Sequence, residues 1–131
     1  SALVDMALHL QADPGGLDVA AFERRELESL GMPEAIAPRH STPHFQHIFS
    51  GEGYSAGYYS YLWSEILDAD GFEAFEASGD VFDAALADRL ERFVYSAGNS
   101  REPDAAYRAF RGRDPEPEAL LRKRGLAEAA D

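Results

Sequence analysis

The 131-residue chain contains no cysteine. That excludes a disulfide framework and any thiolate metal site, and it fits a reducing cytoplasm, where thiol pairing does not staple folds. No apolar run approaches the roughly 20 residues needed to span a bilayer, and no basic stretch followed by an apolar segment opens the chain. Neither membrane insertion nor a signal peptide is expected. Positive charge is scarce: 12 basic residues stand against 24 acidic ones, a formal net charge of -12. Such a surface repels a phosphate backbone unless its cations gather on one face. The densest basic run, Arg122-Lys123-Arg124, covers one turn at the end of a predicted helix, where it suits the helix dipole better than a nucleic acid. Also missing are the apolar alternation of a strand, a fixed repeat, a sustained heptad and any low-complexity tract.

What remains is enough for a folded domain, and its pattern is all-α. Hydrophobic residues make up 45% and charged residues 27% of the chain, ordinary globular proportions. Leu3 to Leu10 is in helical rhythm at once, with neither cap nor entry loop, so the chain reads as cut at this end, with Ser1 a remnant of cloning. Asp13-Pro14-Gly15-Gly16 is a breaker, after which Asp18 caps a second helix carrying Val19, Phe22, Leu27 and Leu30 and stopping near Gly31. Pro33 opens a short helical turn. Between Ala37 and Gly53, the residues Pro38, Pro43, Gly51 and Gly53 interrupt the chain too often for one regular element, leaving a long loop of functional type. A central, substantially buried helix is predicted from Tyr54 to about Phe75. Beyond Ser78-Gly79-Asp80, Asp83 caps a helix with Leu86, Leu90, Phe93 and Val94 on one face, closed by Gly98. Pro103 stands in the first turn of a helix bearing Ala106, Tyr107 and Phe110. A last helix, Glu118 to Arg124, presents Leu120 and Leu121 and ends at Gly125. The tail from Ala127 to Asp131 is expected to fray.

Two residue types carry candidate chemistry. Of the histidines His9, His40, His44 and His47, the last three crowd the interrupted loop. A hydrolytic zinc site usually offers a helical His-Glu-x-x-His pair, which does not occur here, and Pro43 prevents one regular helix from presenting all three. Surface, capping or substrate-facing roles are favoured over a zinc triad. Tyr54, Tyr58 and Tyr61 follow at intervals of four and three, one stripe if a helix begins at Gly53. Aromatic residues so spaced mostly pack. Tyr59, Leu62, Trp63, Ile66 and Leu67, however, offer a more apolar face for the core, which leaves the tyrosine stripe free to meet something polar. Gly51-Glu52-Gly53 before it allows a sharp bend and close approach of a ligand, or is an ordinary entry loop. A phenol donates well to a carbonyl oxygen that gains negative charge during amide hydrolysis, and a nearby histidine can do the same. His47 and the tyrosines could therefore form an oxyanion-stabilising, substrate-holding wall.

The run His44-Phe45-Gln46-His47-Ile48-Phe49-Ser50-Gly51-Glu52-Gly53-Tyr54-Ser55-Ala56-Gly57-Tyr58-Tyr59-Ser60-Tyr61-Leu62-Trp63-Ser64-Glu65 resembles the signature of the thimet oligopeptidase, oligopeptidase A and peptidyl-dipeptidase family. The likeness continues through Leu67-Asp68-Ala69-Asp70, Gly98-Asn99-Ser100, Phe110-Arg111-Gly112-Arg113-Asp114-Pro115 and Leu120-Leu121-Arg122, and among the branches it leans toward the bacterial peptidyl-dipeptidases. The resemblance implies a helical, two-lobed, zincin-like enzyme whose deep channel admits short peptides. Residues 1–131 would be the C-terminal helical part of its catalytic domain. Zinc would sit on a His-Glu-x-x-His helix and a further glutamate, all upstream and absent here, so no metal ligand and no cofactor are expected within this chain. By the same resemblance His47 and Tyr61 are catalytic and Tyr54 and Tyr58 bind substrate, with Gly51 and Gly53 in the substrate-binding loop. The implied partners are a short peptide and the missing N-terminal part of the same protein, with no nucleic acid and no membrane. Self-association of the piece is possible if it exposes an apolar patch. Arg111 and Arg113 could hold a substrate carboxylate, although surface ion pairing is the favoured role. The rival from another class is a non-enzymatic, acidic helical interaction module that docks a partner through its tyrosine face.

Overall fold

The computed structural model describes residues 1–127, so the expected fraying of the tail falls almost wholly outside the described residues. The chain divides into two compact units, Ser1–Tyr61 and Leu62–Asp131. Among the described residues every regular element is helical and no strand occurs. In the first unit, α1 (Ala2–His9) packs against α2 (Val19–Ser29). Asp18 caps α2 as its position predicts, its carboxylate accepting from the Ala21 amide at 2.9 Å. Pro33 gives a single turn closed by the Ile36 amide on the Pro33 carbonyl at 2.9 Å, without a helix. The interrupted loop then contains two 3-10 turns, Thr42–His44 and Gln46–Phe49. Glu23 of α2 anchors the first of them, accepting from the Thr42 amide at 2.5 Å and the Thr42 hydroxyl at 2.6 Å. Val4, Phe22, Phe45 and Ile48 form the apolar core of this unit.

The central helix differs from its prediction at both ends and in its buried face. α3 covers Tyr59–Ser78, so it starts five residues later than expected and ends three later. Residues 52–56 are turns instead, with the Tyr54 amide on the Gly51 carbonyl and the Gly57 amide on the Tyr54 carbonyl, each at 3.0 Å. The Tyr58 amide, which a helix from Tyr54 would aim at the Tyr54 carbonyl, is taken by the carboxylate of Asp5, as is the Ala56 amide. The apolar face expected in the core is also open: Tyr59, Leu62 and Trp63 are about half exposed, and Ile66 and Leu67 are only partly covered. The buried residues of α3 are Ala69, Asp70, Ala74 and Phe75.

The second unit closes round that stretch. α4 (Ala84–Leu90) is capped by Asp83, which accepts from the amides of Ala85 and Leu86 at 2.9 and 3.0 Å. It runs on into a π-helical turn, Glu91–Tyr95, whose wider hydrogen bond joins the Ser96 amide to the Glu91 carbonyl at 2.7 Å. Both pack against α5 (Pro103–Arg111), which begins on Pro103 and ends at Gly112 with φ of 84°. α6 (Glu118–Lys123) follows. Phe110 and Leu120 are the best buried apolar side chains here.

At the centre of this unit lies an ionic cluster rather than a greasy one. Asp70, fully enclosed, accepts from the Tyr107 hydroxyl at 2.5 Å and from Arg113 Nη2 at 2.6 Å, with Arg111 Nε 3.3 Å away. Glu73 meets Arg111 at 3.1 Å, Arg113 at 3.4 Å, and Arg122. Arg111 and Arg113 do pair with carboxylates, but the surface character expected of those pairs is wrong, since Arg111 keeps only 15% of its side-chain exposure. Their three-way tie to a buried carboxylate leaves them engaged inside the fold. The basic run is likewise consumed by α3, Arg122 on Glu73, Lys123 on Asp68 and Arg124 on Glu65.

Candidate active site

The predicted site residues meet in the first unit, although not through a helical stripe. Tyr54 and Tyr58 lie in the turns before α3 and only Tyr61 is helical. Convergence comes from the loop, which brings His47 into the middle of the three rings. The His47 ring is 4.9 Å from that of Tyr54, 5.6 Å from Tyr58 and 5.9 Å from Tyr61, and the rings of Tyr58 and Tyr61 are 5.0 Å apart. His47 Nε2 lies 3.4 Å from the Tyr61 hydroxyl, within hydrogen-bonding reach.

A buried floor supports this group. Phe45, 5% exposed, stands edge-on to Tyr58 at 4.7 Å and face to face with His40 at 4.5 Å. His40 Nε2 in turn lies 3.3 Å from the Tyr58 hydroxyl. The ring geometries are the offset and edge-to-face ones that aromatic quadrupoles favour. The upper side is open, with Tyr54 49% and Tyr61 58% exposed, so their phenols can reach an outside ligand. Gly51 has φ of 150°, and a side chain at Gly51 or Gly53 would meet nothing within 4 Å. Gly57 is different: a Cβ there would come within 3.1 Å of the Tyr54 carbonyl oxygen, so that backbone would have to shift slightly to admit a larger residue.

Several supporting residues escaped sequence reading. Asp5 and Glu23 carry no motif that marks them, and for His40 the sequence favours a surface, capping or substrate-facing role without pointing to Tyr58 as its partner. One signal existed: Asp5 and His9 are polar residues four apart in a short, otherwise apolar helical run, the spacing of facing neighbours. A zinc triad from His40, His44 and His47 does not fit. His40 and His47 turn Nε2 toward phenols, His44 points to solvent, and among the described residues no group of three His, Cys, Asp or Glu side chains is placed to hold a metal.

The sequence profile of peptidase family M3 matches residues 1–126. The chain belongs to peptidase family M3. Similar relatives are a probable cytosolic oligopeptidase A of Arabidopsis thaliana, 39% identical over 98% of this chain and 19% of its own length, and the dipeptidyl carboxypeptidase of Escherichia coli (strain K12), 41% identical over 96% of this chain and 18% of its own length. Oligopeptidase A of Haemophilus influenzae is 46% identical over 73% of this chain and 13% of its length. The M3 chain thus spans about a fifth of the length of the first two curated relatives it matches. Membership in a peptidase family favours the enzymatic reading over the acidic interaction module. Among the described residues, no helix is long and apolar enough to cross a membrane.

Proposed function

We propose that this chain is the C-terminal, substrate-binding part of a longer zinc metallopeptidase that hydrolyses short peptides in the cytoplasm, as a peptidyl-dipeptidase or an oligopeptidase. The observation that carries the reading is the open ring of His47, Tyr54, Tyr58 and Tyr61, in which an imidazole aims a half-exposed phenol. Zinc belongs to residues outside this chain. Within it, Tyr61 donates to the peptide carbonyl oxygen as that oxygen gains charge, Tyr54 and Tyr58 hold the substrate, and His47 hydrogen-bonds the bound peptide. The bend at Gly51 and Gly53 leaves room for the peptide backbone. A donor fixed before the reaction stabilises developing charge without reorganising. The missing N-terminal part completes the cleft.

The test is expression of the longer protein that carries this chain, assayed on short internally quenched peptides. Cleavage abolished by a chelator and restored by zinc is the expected result, together with no cleavage by the isolated 131-residue chain in the presence of zinc. Turnover by the isolated chain would overturn the division of labour. A longer protein inert on every short peptide would overturn the activity.

A further inference from the structure

One buried carboxylate has no part in the reading above. Asp5 is 0% exposed, in the middle of α1. A buried carboxylate is costly unless its charge is met by donors, and here the donors come from the site. Oδ1 accepts from His9 Nδ1 at 2.8 Å and from the Ala56 amide at 3.1 Å, while Oδ2 accepts from the Tyr58 amide at 3.0 Å. His9 Nδ1 also lies 2.9 Å from the Asp5 carbonyl oxygen. Both neighbours of that nitrogen are acceptors, so Nδ1 carries the proton.

Ala56 is the one residue other than glycine with positive φ among the described residues, at 56°. A Cβ makes that conformation unfavourable, and it persists only where the surroundings over-determine it. The surrounding group is Asp5, which grips the amides on either side of Gly57. The next residue begins α3, and Tyr58 leaves the grip pointing its ring at Phe45, His40 and His47.

We propose that Asp5, steadied by His9, is a positioning residue of the tyrosine site: its carboxylate holds Ala56 in the left-handed conformation and sets where the Tyr58 phenol stands. This rests on the reading of Tyr58 as a substrate-binding residue. A carboxylate that merely stabilised the fold would have no special link to the strain at Ala56 or to Tyr58.

Amide hydrogen exchange on the 131-residue chain tests the grip directly. Asp5→Asn keeps the shape but turns one acceptor into a donor. The Ala56 and Tyr58 amides should then exchange about tenfold faster, the scale of one lost charged hydrogen bond, while the amides of Phe22 and Ile48 keep their rates. On an Ala56→Gly background the same Asp5→Asn change should cost less stability in a denaturant titration, because glycine adopts positive φ without support. Equal acceleration at all four amides, unchanged rates at Ala56 and Tyr58, or an undiminished stability cost on the glycine background overturns the proposal. If Asp5→Asn does not fold, His9→Gln is read in its place, and intact protection of the two amides overturns it equally. In the longer enzyme, Asp5→Asn should lower kcat/KM about tenfold, and adding Tyr58→Phe should cost little more, since both remove one positioned group. Losses that simply multiply count against the grip. A wild-type enzyme that cleaves no peptide removes the peptidase reading alone, and the exchange rates still decide the role of Asp5.

Discussion

At the residue scale, the two exposed phenols are predicted to fail differently. Under the proposed function Tyr61, 3.4 Å from His47 Nε2, is the oxyanion donor, so in the longer protein Tyr61→Phe should lower kcat about a hundredfold with little change in KM. On the same proposal Tyr54→Phe removes a substrate contact and should act mainly on KM. Equal effects on both parameters in both variants would erase the distinction, and steady-state kinetics on one quenched peptide reads it. Tyr107 makes a prediction about pH. Its burial, with the hydrogen bond to Asp70 and the charge of Asp70 adding to it, holds the phenol well above its ordinary value of 10.0. The folded state therefore keeps a proton that the unfolded chain releases from about pH 10 upward. The resulting stability is complete below that pH and is lost as pH rises toward the folded value. Denaturant titrations should show wild type losing stability above pH 10 faster than Tyr107→Phe, which is less stable at neutral pH by about 1–2 kcal/mol. Parallel alkaline limbs would contradict this.

At the element scale, caps and breakers were the most legible part of the sequence. Asp18, Asp83 and Pro103 act where their chemistry places them, because a cap is a local interaction between neighbours in the chain. Asp83 serves two amides, so Asp83→Ala should destabilise the second unit by about 1 kcal/mol, visible in thermal unfolding. An unchanged melting temperature would show that α4 is held by packing alone. The start of α3 was not legible. From Tyr54 onward the aromatic residues recur at helical spacing, and beside the weak propensity of Ser55 and Gly57 stands a carboxylate some fifty residues earlier, on α1, that takes the Ala56 and Tyr58 amides. The tyrosines drew notice by type and spacing, but the helical stripe that spacing implied does not form, and the rings meet through the loop that delivers His47. Propensity carries no information about such a distant competitor.

At the scale of the whole molecule, exposure of Phe72, Phe82 and Tyr95 in the second unit, at 50%, 86% and 72%, makes self-association of the isolated chain the expected behaviour. Light scattering should give a mass that rises with concentration, and a constant monomer mass across that range would refute it. The acidic excess opposes this tendency at low salt, so the rise should steepen as salt screens it. The chain carries a single tryptophan, Trp63, 52% exposed in the first turns of α3. Its indole is a built-in optical reporter: whatever comes to cover that stretch of helix, a second copy or the remainder of the proposed longer protein, will announce itself as a blue shift in emission, with no label attached.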